Sequence, residues 1–415
     1  MGATLFTNVN IFDGSGAPPF RGSVLVRGER IESVMPQGAQ TVVRDAAVVD
    51  GRGATLMPGL IEAHSHLTFT DVALSVELGF IPPEEHMLKT AQNARRMLDA
   101  GFTSCFSAAA AKPRLDIVLR NAIDGGAVPG PRTLAASPEM TVSAGLGDVR
   151  LYHMYRENFA VVCDGPAEFR KFSRTMVREG ADTLKINVSG DAGTPHSPAD
   201  TTVMNEAEVA AVCDVAHAHG KRIAAHARSA ESVKMCLRHG VQVIYHATLL
   251  DEEAMDALEE AKDEVFVGPV LGHLYTTLYE AGPWGITRQI AEQRGVAHEL
   301  DRGIESMREL HRRGVRILIG GDYGFSWNPV GTDARDIEHF VNLLGFTPME
   351  AIIAATRLGG EIMGMGDRIG QVRAGYLADL LLVDGDPLAS VAILQDRQKL
   401  RAIMKNGEFW KAPPI

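Results

Sequence analysis

The sequence has little of several features that would mark a special class of protein. Lys and Arg number 41 against 52 Asp and Glu in 415 residues, which gives a formal net charge of −11. This balance, without any basic tract, argues against a nucleic-acid-binding surface. No apolar run approaches a membrane span, and the start, MGATLFTNVNIFDG, lacks the regions of a secretion signal. We therefore expect a cytoplasmic protein whose partner is a small molecule, without nucleic acid or membrane.

Cysteine is also scarce. The four cysteines lack CxxC spacing, so they predict neither a disulfide framework nor a zinc ribbon. We interpret them as reduced, buried thiols. They are Cys105, Cys163, Cys213 and Cys236.

The pattern along the chain predicts a split small domain around a larger central one. Residues 1–57 and 367–415 both consist of short alternating strands with turn signals, which favours one β-sandwich built from both chain ends. Residues 58–366 alternate strand-like and helical runs, which predicts an α/β domain with eight parallel strands, a (β/α)8 TIM barrel. The eight predicted strands end near His66, Ser107, Ser137, Val188, His226, His246, Val270 and Asp322.

Polar residues of metal-ligand type follow the apolar, strand-like runs of this central part. Since the carboxyl ends of parallel barrel strands meet at one face, we expect these side chains to lie close together. Imidazole and carboxylate groups suit a borderline divalent ion, and zinc is favoured over Mn²⁺, Co²⁺ or Fe²⁺. The predicted ligands are His64, His66, Lys185, His226, His246 and Asp322.

Each of these residues also has an ordinary explanation. The histidines could be satisfied core residues, and Asp322 could cap a helix. A buried ammonium cannot bind a cation and is costly, so Lys185 either pairs with a carboxylate such as Asp191 or reacts with carbon dioxide. The carbamylated lysine would be an anionic group able to bridge two metal ions.

Several segments together resemble the amidohydrolase superfamily, in its binuclear branch with a bridging carbamylated lysine. They are MPGLIEAHSH, LKINVSG, AAHARS, YHATLLD, GGDYG and GYLADLLLVDGDPL. Within that superfamily the chain is similar to imidazolonepropionase-like and Xaa-Pro dipeptidase-like hydrolases, and FVGPVLGHLYTTLYE resembles members that act on arylureas, thiocarbamates or N-acyl amino acids. The resemblance implies two divalent ions held by the six residues, and a homo-oligomer.

Substrate contacts are predicted around the same strand ends. Many dipeptidases of this type have a TGGHGD-like segment, whereas this chain has VSAGLGD with Leu146 in the histidine position, so His153 is the candidate substitute. The resemblance places a contact at Arg228, whose guanidinium could bind a carboxylate. Further aromatic or imidazole candidates for the substrate pocket are His273, Tyr275 and Tyr323.

These residues predict a metal-dependent amidohydrolase. A metal-bridging hydroxide would attack the carbonyl of an amide, urea or carbamate, and Asp322 would be the catalytic proton acceptor. The alternatives are Xaa-Pro or other dipeptide hydrolysis, phosphotriester or lactone hydrolysis, and a non-catalytic scaffold. The scaffold is disfavoured because all six candidate ligands are present. The loops predict a small, partly aromatic substrate.

Overall fold

The computed structural model describes residues 2–39 and 45–413. The predicted terminal segments therefore extend beyond it at residue 1 and residues 414–415, and positions 40–44 also lie outside the described residues. None of the helices in the described ranges combines the length and the apolarity that a membrane crossing requires. All four cysteines are buried, and none forms a disulfide.

The strands and helices follow one another along the chain as the sequence pattern predicts in outline. The strands are β1 (Ala3–Ile11), β2 (Phe20–Arg27), β3 (Arg30–Pro36), β4 (Ala46–Asp50), β5 (Thr55–Pro58), β6 (Leu60–Ser65), β7 (Phe102–Ser107), β8 (Arg132–Leu134), β9 (Ala136–Thr141), β10 (Val161–Val162), β11 (Thr183–Asn187), β12 (Arg222–Ser229), β13 (Val243–Leu249), β14 (Phe266–Gly268), β15 (Leu380–Val383), β16 (Leu400–Lys405) and β17 (Glu408–Lys411). The α-helices are α1 (Pro83–Asp99), α2 (Leu115–Asp124), α3 (Pro166–Glu179), α4 (Glu206–Ala218), α5 (Ala230–Arg238), α6 (Glu252–Glu260), α7 (Leu271–Tyr279), α8 (Arg288–Gln293), α9 (Val296–Arg312), α10 (Arg335–Asn342), α11 (Pro348–Ala354) and α12 (Arg357–Ile362). Short 3₁₀ helices occupy Ser75–Phe80, Gly282–Trp284 and Val391–Gln395.

The two chain ends form one sheet. Its strand order is β17-β16-β15-β5-β1-β2-β3, and β4 pairs with β1. The junction is the antiparallel pair of β5 and β15, in which Thr55 lies opposite Val383 and Pro58 opposite Leu380. Apolar side chains from both ends are buried in one cluster on this sheet, so neither end buries its apolar residues alone. The cluster includes Phe6, Val9, Ile11, Leu56, Leu380, Leu382 and Met404.

The central part is α/β, with parallel strands in two sheets. One has the order β6-β7-β8 and the other β10-β9-β11-β12-β13-β14. A parallel bridge between Ala110 and Pro138 joins them, and a second bridge places Ile317 beside Val267 of β14. Because these strands run the same way, their carboxyl ends face one side of the sheets, where the predicted ligands follow them.

Two details differ from the predicted element pattern. The predicted third strand is divided into β8 and β9 at Ala135, and β10 adds a short parallel partner to β9. The predicted eighth strand contributes a single bridge at Ile317 rather than a ladder. The helix before that bridge, α9, begins at Val296 and brings Glu299 beneath the site described next.

Candidate metal centre

The structure brings the six predicted ligands together in one cleft. His64 lies near the end of β6 and His66 directly follows that strand. Lys185 lies on β11, His226 on β12 and His246 on β13, and Asp322 follows the bridge at Ile317. All six line the same cleft, which encloses about 1050 Å³ including its open mouth. Five separate segments thus deliver polar side chains to one floor, as parallel strand ends do in α/β enzymes.

His64, His66 and Asp322 form the tightest group. The Nε2 atoms of the two histidines are 3.1 Å apart, and Asp322 Oδ1 lies 3.1 Å from His66 Nε2 and 3.5 Å from His64 Nε2. Both imidazoles are buried, and the Asp322 side chain is 14% exposed. These three ligand atoms are close enough to share one ion. Two imidazole nitrogens and a carboxylate oxygen are the donor set that divalent zinc takes in proteins.

Hydrogen bonds fix which imidazole nitrogens remain free to bind. His66 Nδ1 lies 3.1 Å from the Ala109 carbonyl, and His226 Nε2 lies 2.9 Å from the Gly190 carbonyl. Because a carbonyl only accepts, His66 Nδ1 donates and its Nε2 keeps a lone pair for an ion. His226 Nε2 also lies 3.3 Å from Arg228 Nε, which only donates, so the carbonyl and the guanidinium together orient this ring. Carbonyls that orient histidines in this way are typical of metal sites.

His246 completes the histidine cluster. Its ring centroid is 4.2 Å from that of His226 and 5.7 Å from that of His64. The Nδ1 atoms of His64 and His246 are buried without a hydrogen-bond partner among the described residues. Orphaned polar atoms are costly in a protein interior. The cluster therefore fits a cation-binding site better than a core in which the polar groups hydrogen-bond to one another.

Burial sets the protonation of the cluster. It lowers the pKa of His64 to about 3, and it lowers the pKa of His226 and His246 well below the ordinary value. All three imidazoles are therefore neutral near pH 7 and can donate lone pairs. Burial alone would raise the pKa of Asp322, but the contacts of its carboxylate with the His64 and His66 imidazoles hold that pKa well below its usual value.

Two of the six residues have a left-handed backbone. The φ angles are 74° at His246 and 58° at Asp322, a conformation that non-glycine residues seldom adopt. The turn at Asp322 is held by Asn328, whose Nδ2 donates to the carbonyls of Gly321 and Asp322 at 2.7 and 3.2 Å. The sequence alone did not identify Asn328. Strained backbone at ligand positions is typical of functional sites.

Lys185 has a different neighbour from the one considered in the sequence. Its Nζ lies 3.8 Å from Glu139 Oε1, and the side chain is 1% exposed. Burial lowers the pKa of Lys185. Asp191, the alternative partner, instead pairs with Arg228 at 2.7 Å. Glu139 was missed, although its position near the end of β9 follows the same strand-end rule that identified the other residues.

The predicted substrate contacts divide into one that lines the cleft and four that do not. His273 lines it. Arg228 is buried outside the cleft lining, where Asp191 and Glu299 both accept from its guanidinium. It is thus occupied by an internal ion-pair network rather than free to bind a carboxylate.

The other three lie elsewhere. His153 is exposed on the loop after β9. Tyr275 packs against Tyr279 and His339, and Tyr323 is buried behind the floor with its hydroxyl unpartnered among the described residues. Leu146 does line the cleft, in the position compared with a dipeptidase histidine. A peptide substrate would therefore meet an apolar side chain there.

The cleft and its fold match a known family. Residues 55–409 match the sequence profile of the amidohydrolase family. The chain belongs to the amidohydrolase family. Its relatives in this family are hydrolases, so the chain is a hydrolase for amide-type bonds.

Individual relatives are distant but cover most of the chain. Ochratoxinase from Aspergillus niger is 23% identical over 383 residues, which cover 88% of this chain and 77% of that protein. Imidazolonepropionase from Rubrobacter xylanophilus is 26% identical over 412 residues, 93% of this chain and 90% of that protein. A crystal structure of a prolidase complexed with N-methylphosphonate-L-proline superposes with a TM-score of 0.89 at 26% identity and covers 99% of this chain and 100% of that one.

Proposed function

We propose that this amidohydrolase is metal-dependent and cleaves an amide, urea or carbamate C–N bond in a small, partly aromatic substrate. The observation that carries the proposal is the convergence of imidazoles and the Asp322 carboxylate on one cleft floor.

We also propose that the two parallel sheets close into a (β/α)8 barrel and that the terminal sheet is the β-sandwich domain. The bridges at Ala110 and Ile317 support closure. Cytoplasmic location and a homo-oligomer stay predictions from sequence.

The proposed metal ligands are the six residues of the floor. Two divalent ions, zinc by preference, would be held by the four histidines, Asp322 and carbamylated Lys185. When bound, such ions supply hydroxide at neutral pH and polarise the scissile carbonyl. Carbamylation is supported by the position of the Lys185 amine, which is enclosed among the histidine cluster and Glu139 rather than in solvent.

Asp322 is the proposed proton acceptor. Its carboxylate is ionised at neutral pH, since its pKa is held below the usual value, and it faces the cleft beside His66. It can take the proton of the attacking water and return it to the departing nitrogen, as a general base and then a general acid. The left-handed turn held by Asn328 fixes the direction of this carboxylate.

The cleft walls support a partly aromatic substrate. Above the floor they present mostly apolar side chains, including Phe69, Phe159, Leu274, Phe325 and Trp327. Phe325 and Trp327 stack with ring centroids 5.4 Å apart, which leaves a flat aromatic wall. A small substrate could bind with its scissile group at the polar floor and its apolar part against the walls.

Dipeptide hydrolysis is the second candidate. The prolidase structure with N-methylphosphonate-L-proline covers the whole fold of this chain, which favours an Xaa-Pro substrate. Leu146 argues in the other direction, because it places an aliphatic side chain in the cleft where a dipeptidase histidine is expected. A panel of chromogenic anilides, arylureas, carbamates, N-acyl amino acids and Xaa-Pro dipeptides would separate the two.

The decisive variant is Asp322→Asn. We expect kcat to fall about a thousandfold because the proton acceptor is lost, while elemental analysis still finds divalent metal held by the other five ligands. Asp367→Asn, at a position whose side chain is 84% exposed, is the matched control and should keep full activity. Full turnover by Asp322→Asn would refute the assigned proton transfer. Purified protein that neither holds nor responds to zinc would refute metal dependence.

A further inference from the structure

Two cations in and behind the cleft are committed to partners. Lys185 lies at the floor beside Glu139, and the guanidinium of Arg228 is enclosed by Asp191 and Glu299. Arg294 differs from both. It lines the cleft, it is exposed, and its side chain makes no ion pair or hydrogen bond with the described residues. It is thus a cation that faces the substrate space without an internal partner.

The local fold fixes where Arg294 emerges. It is the C-cap of α8, and its backbone N–H donates to the Ile290 carbonyl at 3.1 Å. Gly295 follows with a φ of 84°, and α9 starts at Val296, which also lines the cleft. The side chain therefore leaves a tight junction between two helices, so its starting point is fixed although its guanidinium is solvated.

The surroundings of Arg294 indicate what it meets. Leu274, Ile286 and Trp327 of the same cleft are apolar and offer no charge to a guanidinium. The whole molecule carries a net charge of −11, so the unpaired guanidinium of Arg294 is opposite in sign to the charge of the molecule as a whole. A guanidinium placed at an apolar rim binds planar anions, carboxylates above all, through paired hydrogen bonds.

We propose that Arg294 determines specificity by binding a carboxylate carried by the amine portion of the substrate. The substrate class would be carboxylate-bearing amides, such as N-acyl aromatic amino acids. This inference rests on the proposed function, because it assumes that the C–N bond is cleaved at the floor. Arg294 is assigned no part in the chemical step, so its loss should raise KM and leave kcat nearly unchanged.

The test uses pairs of substrates that differ only in that charge. Zinc-loaded protein is assayed by acetate or aniline release with N-acetyl-L-phenylalanine and its carboxamide, and with 4-(acetylamino)benzoate and its carboxamide. We expect the carboxylate to be preferred, and Arg294→Met to lower kcat/KM for it about five- to tenfold through KM, with the carboxamide unaffected. The preference of the unchanged protein should also shrink at high ionic strength.

Two further variants keep the result interpretable. Arg288→Met removes a guanidinium from the same helix that pairs with Glu292 and lies over Tyr279 outside the cleft lining, so it should retain the preference. Arg294→Lys keeps the charge and should restore part of it. Equal effects of Arg294→Met and Arg288→Met, or a preference for carboxamides in the unchanged protein, would overturn the carboxylate assignment while hydrolysis itself stands. No hydrolysis of any pair, together with none across the wider panel, would overturn the proposed function and this inference with it.

Discussion

Single residues in this protein owe their chemistry to burial. Lys185 is the clearest case, since the same side chain on the surface would be a solvated cation. On β11 it is enclosed with Glu139 at 3.8 Å as its nearest carboxylate, a distance too long for a hydrogen bond. The sequence left two explanations open for Lys185. The structure replaces Asp191 with Glu139 as the pairing candidate and keeps the amine at the floor of the cleft.

Asp116 is a buried acid outside the metal centre. Ser107 donates to it from the end of β7, and the backbone N–H of Ala136 donates at 3.2 Å from β9. Burial raises the pKa of Asp116 to about 6 from an ordinary value of 3.8. The folded protein therefore binds this proton more tightly than the unfolded chain does, and the resulting stability is present below about pH 4 and is lost as pH rises through about 6.

Asp116→Asn should remove this pH dependence. Relative to the variant, the unchanged protein should lose up to about 3 kcal/mol of unfolding free energy between pH 4 and pH 7. Urea unfolding at several pH values measures the difference. Asp367→Asn, at the exposed position used above, should follow the unchanged protein at every pH. A difference between Asp116→Asn and the unchanged protein that is constant from pH 4 to pH 7 would contradict the assignment.

At the scale of elements, the sequence identified the strand ends better than the elements themselves. The six candidate ligands meet because the carboxyl ends of parallel strands share one side, a rule that needs no detailed boundary. The eighth run, by contrast, is apolar like its neighbours but forms only the bridge at Ile317. Glu299 and Arg294 were not identified because α8 and the first turns of α9 lie in a polar stretch without a clear apolar period.

Gly320 shows how closely these elements approach. An added Cβ would lie 2.5 Å from His64 Cβ and 2.9 Å from its backbone nitrogen. Gly320→Ala should therefore push the segment after Ile317 away from β6, cost about 1 to 3 kcal/mol of stability and lower zinc content, as seen by thermal unfolding and elemental analysis. Gly2→Ala adds the same methyl with nothing within 4 Å and should change neither. Normal zinc content in Gly320→Ala would show that this contact does not position His64.

At the scale of the molecule, the terminal sheet and the central α/β part meet through a small polar junction. Asp379, just before β15, accepts from Arg132 of β8, and its side chain is 3% exposed. Its Oδ1 accepts from the Asn406 backbone at 2.8 Å, and its carbonyl accepts from Gly59, between β5 and β6, at 2.9 Å. One residue thus connects both chain ends to the central strands.

Because this ion pair is mostly buried, its loss should be costly. Asp379→Asn leaves Arg132 without its counterion, and we expect a loss of about 2 to 4 kcal/mol in unfolding free energy, measured by chemical denaturation. The pair of Arg27 and Glu32 is the comparison, since both side chains are about half exposed (52% and 45%). Glu32→Gln should cost less than about 1 kcal/mol.

Tryptophan fluorescence and far-UV circular dichroism should report one coincident unfolding transition. The reason is that Trp410 of β17 donates to Asp99 at the end of α1, and the terminal sheet cannot separate without breaking that contact. Equal costs for Asp379→Asn and Glu32→Gln, or two resolved transitions in the unchanged protein, would mean that the terminal sheet and the central part fold independently and that the junction does not couple them.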